Sequence, residues 1–86
     1  MLILAEGTIH RAVVGDELLA AQGWFGAMAD GGFLQSGYLD LPRNRILMFL
    51  SAPDLANADQ RLSDMPVVQD GSVTFTTSAV TALRLG

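Results

Sequence analysis

Residues 32–52, GFLQSGYLDLPRNRILMFLSA, constrain this chain most. They read as two strands joined by a tight turn. Residues 33–41 are rich in apolar and aromatic side chains. Pro42, Arg43 and Asn44 then supply turn chemistry, because proline presets its φ and asparagine tolerates the left-handed region. The second strand begins RILMFL at Arg45. Successive side chains of a strand point to opposite faces. Ile46, Met48 and Leu50 therefore share one face, and Leu47 and Phe49 take the other. An antiparallel sheet with one face in water alternates apolar with polar residues. Here both faces are apolar, so both sides of the sheet need a cover. Helices of the same chain can supply one. A chain of 86 residues is too short to supply two, so the second is expected from another subunit.

Composition points the same way. The whole chain, 1–86, reads as a single domain. A chain of this length buries only roughly 60–65% of the surface that its unfolded form exposes. Charged residues make up 16% of it and apolar residues 50%, against a usual charged share of about 25%. With no cysteine, disulfides, thiolate metal sites and thiol catalysis are excluded. All five basic residues are arginine, so a lysine Schiff base is excluded as well. The net charge of −4 and the lack of a basic cluster argue against a nucleic-acid partner. The apolar run 46–50 is far shorter than the ~20 residues that span a bilayer. Met1 leads into a strand-like stretch without a basic leader region, so no signal peptide is expected and the expected location is the cytoplasm.

Residues 1–9, MLILAEGTI, read as a first strand with Leu2 and Leu4 on one face and Ile3 and Ala5 on the other. Gly15 and Asp16 open a helix, with Asp16 as N-cap or first-turn acid. Leu18, Ala21, Phe25 and Met28 follow at helical spacing beside Leu19 and Trp24. Gly23 and Gly26 weaken this helix and are expected to let it approach the sheet closely. Gly31-Gly32 ends it through a left-handed cap. After the hairpin, Ser51-Ala52-Pro53-Asp54 is an S-x-x-D start signal with proline in the first turn. Leu55, Ala58 and Leu62 form the apolar stripe of a second helix, with Asn57, Asp59, Gln60 and Arg61 on its wet side, and Pro66 stops it. Residues 67–71 read as a loop with an Asp-Gly turn. Residues 72–85 read as a long last strand in which Val73, Phe75 and Thr77 keep one phase, with a bulge or bend at residues 78–80.

The order strand, helix, strand, strand, helix, strand is the split βαβ, or ferredoxin-like, arrangement. The expected fold is therefore α+β: a four-stranded antiparallel sheet with two helices on one face.

Two segments carry a resemblance. The first is residues 28–37, MADGGFLQSG, a helix end and hairpin start. The second is residues 61–66, RLSDMP, followed by Gly71 and a long strand. In order and spacing they resemble the dimeric α+β-barrel superfamily, and within it the muconolactone-isomerase-like and YciI-like proteins. The likeness covers most of the chain from about Leu18 onward. It implies a homodimer whose two open sheet faces meet, with a pocket in each subunit between sheet and helices. YciI-like proteins pair a histidine early in the first helix with an aspartate near the end of the second strand. Here Ala20 stands near that helix position, while Asp40 matches the aspartate, so that dyad does not carry over.

The candidate chemistry is sparse. His10, the only histidine, is of the residue type suited to proton transfer near neutral pH and could abstract a proton next to a carbonyl, or be a solvated or capping residue at the strand end. Arg11 beside it could bind a substrate carboxylate, although a plain surface cation is the more ordinary reading. Tyr38 and Asp40 share a face with Ser36 behind them and could line a pocket as donor and base. Beside Pro42, Asp40 also fits simple turn chemistry. Trp24 could wall a flat ligand or serve packing alone. Arg45 could contact a substrate or pair with Asp40 across the hairpin. One histidine and scattered carboxylates make no metal set, and no phosphate loop or nicotinamide fingerprint is present, so no cofactor is expected.

Two functions follow as expectations. One is a cofactor-independent isomerase or oxygenase acting on a small carbonyl or lactone compound. The other is a non-catalytic dimeric ligand binder or accessory subunit. A weaker third is a partner-binding module that uses the edge of its last strand.

Overall fold

The computed structural model describes residues 1–83. Four strands are present, β1 (Leu2–Ile9), β2 (Leu34–Asp40), β3 (Arg45–Ser51) and β4 (Val73–Val80), with helices α1 (Asp16–Asp30), α2 (Leu55–Ser63) and the short α3 (Pro66–Gln69). All pairings are antiparallel and the spatial order is β2-β3-β1-β4. This is the ferredoxin-like arrangement that the order of elements predicts, with two extra helical turns, α3 and a 3-10 turn at Leu41–Arg43 in the hairpin. Among the described residues no helix is long and apolar enough to cross a membrane.

Strand phase decides where the core lies. Ile3, Ala5, Met48, Leu50 and Val73 point to one face and are buried. Ala21, Ala58, Leu62, Met65 and Val67 from the helical layer close over them. The alternation read in β1 and β3 is thus the observed one, and so is the phase of Val73, Phe75 and Thr77, which are buried or half-buried. At the centre Phe33, only 1% exposed, meets the Trp24 ring edge-on at 6.4 Å between centroids. The Arg61 guanidinium lies 4.0 Å from the centre of the same ring. It also donates to Met28 Sδ at 3.3 Å. Arg61 is therefore not on a wet side of α2. Its flat, weakly hydrated head covers the aromatic core and ties α2 to α1.

Several local expectations are corrected. Ser51 does not start α2. It stays in β3 opposite Leu2, and Asp54 caps the helix by accepting from the Asn57 backbone N–H at 2.7 Å. Pro66 does not end a helix but occupies the first turn of α3, where its missing N–H costs nothing. Residues 67–69 are consequently helical rather than loop. The β1–β4 register runs without a break from Leu2–Val80 to Ile9–Val73, so no bulge occurs at residues 78–80. The irregularity falls in β2, between Leu34 and Ser36. The last strand ends at Val80 and residues 81–83 carry no regular structure; its expected continuation to 85 lies partly outside the described residues. At the end of α1 only Gly32 is left-handed, with φ +82°, while Gly31 keeps helical angles. Gly23 and Gly26 do not bring α1 close to the sheet: a Cβ built on either meets nothing within 4 Å.

Gly7 is the glycine that packing does require. It lies on the core face of β1 opposite Phe75. A Cβ there would sit 2.6 Å from the Phe75 ring. Gly7→Ala is expected to cost about 1–3 kcal/mol as overpacking, read as a lower urea midpoint. Combining it with Phe75→Leu should recover part of that loss. Strictly additive losses would show that the ring does not cover Gly7.

Candidate functional site

The second face of the sheet carries no helix. Its register sorts it into rows. Ser36, Phe49, Leu4 and Ser78 stand side by side, then Tyr38, Leu47, Glu6 and Thr76, then Asp40, Arg45, Thr8 and Thr74. Leu2 and Val80 flank the first row. The face is thus apolar around β3 and the start of β1, and polar towards β4 and the hairpin turn. Tyr38 and Phe49 stack edge-on there, 6.5 Å between ring centroids.

The hairpin places Asp40 and Arg45 opposite each other, as its spacing predicts. Arg45 Nη2 donates to Asp40 Oδ2 at 3.0 Å, and Arg43 Nη1 reaches the same oxygen at 3.3 Å. The hydrogen bond from Arg45 holds the Asp40 carboxyl below its usual range, with Arg43 adding to it against some desolvation. Asp40 is therefore ionised at neutral pH and doubly engaged, which makes it a weak base. His10 Nε2 lies 2.8 Å from Thr74 Oγ1 on β4, at the opposite edge of the sheet from β2. Three strand steps separate Thr74 from Asp40, or roughly 14 Å at ~4.8 Å per step. Within one subunit His10 and Asp40 are not brought together; Asp40 and Arg45 are in contact, while Tyr38 and Ser36 stand two and four residues back along the same face of β2. Arg11 is held by Asp70 at 3.1 Å. Trp24 is half-buried between Phe25 and Phe33, with centroid distances of 5.5 and 6.4 Å.

A larger hollow lies on the other side of the sheet. α1 stands off the β2–β3 hairpin and leaves an apolar cleft of about 700 Å³. Leu18, Ala21 and Phe25 wall it from α1; Leu39, Ile46 and Met48 form its floor. Gly37 opens that floor: a Cβ there would meet nothing nearer than 3.9 Å. Leu41 and Asn44 of the turn border one end, and Gln22 of α1 lines it too. Tyr38 contributes to the lining, but Trp24, His10, Arg11, Asp40 and Arg45 do not. A smaller hollow of about 440 Å³ lies between α2 and β4, beside Asp59 and Thr77, whose side chains hydrogen-bond at 2.6 Å. Among the described residues no group of three or more His, Asp or Glu side chains could hold a metal.

Sequence reasoning did not single out Phe25, Leu39, Ile46 or Met48 as cleft residues. Strand parity gave the facing of Ile46 and Met48, but the stand-off of α1 leaves no local signal. No family model matches the chain, and a search of curated proteins finds no match either.

Proposed function

We propose that this chain is a small-molecule-binding protein that works as a homodimer, each subunit holding its ligand in the cleft between α1 and the β2–β3 hairpin. One observation carries this reading: an open apolar cleft of about 700 Å³, within the range of roughly 300–1,000 Å³ typical of ligand sites. Among the described side chains none suited to acid–base work near neutral pH lines it, which favours binding over the isomerase or oxygenase reading. The likeness to dimeric α+β barrels of the muconolactone-isomerase and YciI kind agrees with a pocket at this place.

The dimer rests on the uncovered face of the sheet. The helix-free face, with Leu2, Leu4, Leu47 and Phe49 at its centre, is the surface on which a second copy fits.

Binding is tested with the neutral dye Nile red. The wild-type protein is expected to show saturable fluorescence enhancement. Gly37→Val, which fills the floor of the cleft without a backbone clash, should weaken binding at least tenfold while the folded far-UV spectrum is kept. A folded wild type with no saturable binding, or a Gly37→Val protein that binds as well, would remove the cleft as the site.

A further inference from the structure

The chemistry of the cleft also limits what it can hold. We infer that its ligand is an uncharged, largely apolar carbonyl or hydroxyl compound, and that the site rejects the corresponding carboxylates. This inference rests on the cleft being the binding site.

Three observations carry it. Among the described side chains no Asp, Glu, Arg or His lines the cleft. The cation nearest in sequence to the lining residue Ala12 is Arg11, and Asp70 engages it at 3.1 Å. An anion entering the cleft would therefore lose part of its hydration and meet no compensating charge among the described side chains, which is the costly direction for an ion leaving water. The chain's net charge of −4 adds a repulsive field.

The polar groups that are present fit a neutral ligand. Gln22 of α1 and Asn44 of the hairpin turn border the cleft from different walls, and both carry carboxamides. Each offers both a donor N–H and an acceptor carbonyl. Neither side chain has a hydrogen-bond partner among the described residues. A ketone, ester or phenol can use such amides without carrying charge into the site. A hydrocarbon leaves them unused.

The test compares matched probes on the full-length protein by amide NMR titration at neutral pH. 2-Acetonaphthone and 2-naphthoate have similar ring systems and differ in charge. 2-Acetonaphthone is expected to shift the amides of Phe25, Gly37 and Asn44 in a saturable way. 2-Naphthoate should bind at least 30-fold more weakly. Gln22→Leu and Asn44→Gly, the latter keeping the left-handed turn, should together weaken 2-acetonaphthone at least fivefold and leave naphthalene unchanged. Equal affinity for the two probes would overturn the charge selectivity while leaving the cleft as a site. An unchanged affinity for 2-acetonaphthone in the folded double variant would overturn the role of the amides. If no probe shifts those amides, the cleft itself is not the binding site.

Discussion

Phe33→Ala is expected to leave the protein largely unfolded at 37 °C. The ring is only 1% exposed, and truncating a buried phenylalanine costs about 3–5 kcal/mol. The Arg61 guanidinium, 4.0 Å from the ring centre, loses its aromatic face in the same step and is left half-buried over a void. Whole domains are stable by about 5–15 kcal/mol, and a chain of 86 residues falls low in that range. In a domain of this size each kcal/mol is worth roughly 4–8 °C in Tm, so a fall of at least ~12 °C follows. Urea and thermal denaturation followed by the fluorescence of Trp24, which sits against Phe33 at 6.4 Å, measure it directly. Phe33→Leu keeps most of the volume and should lose much less. A loss below about 1 kcal/mol for Phe33→Ala would mean that the centre of the core lies elsewhere.

Phe33 also shows what was legible in the sequence and what was not. The two-sided pattern of residues 46–50 gave the facing of β3, because a period of two leaves only two choices and one helical layer selects between them. The Asp40–Arg45 pair followed from the same hairpin register. Local signals failed where the sheet outweighed them. Ser51 has the right spacing for a helix cap, but its place opposite Leu2 holds it in β3, and Asp54 takes the role. Pro66 is compatible with stopping one helix or starting another, and only the packing of Val67 into the core decides for the second. The bulge in β2 falls at Gln35, where no glycine or proline announces it. The cleft was hidden for a different reason. It is a space between α1 and the hairpin, and space has no residue of its own. Glycines in α1 suggested a close approach, whereas they face outwards and the helix stands away from the sheet.

The helix-free face carries the other large expected effect. Phe49 lies at its centre, between Ser36 and Leu4 in register and edge-on to Tyr38 at 6.5 Å. In a symmetric dimer formed through this face, Phe49→Asp buries an unpaired carboxylate on both sides of the interface. Leaving one buried charge without a partner costs on the order of 3–5 kcal/mol, which is about a 10²-fold or larger rise in Kd. Sedimentation at micromolar concentration should therefore find wild type at twice the chain mass of 9.1 kDa and Phe49→Asp at that mass itself. The direction of the effect is specific to the face, not to greasiness in general. Leu19 on α1 is 66% exposed, more than any residue at the sheet centre, yet Leu19→Asp should leave the dimer intact. If Leu19→Asp yields the monomer and Phe49→Asp does not, the subunits meet through α1. A wild type that sediments as a single chain would leave both faces in water and overturn the dimer.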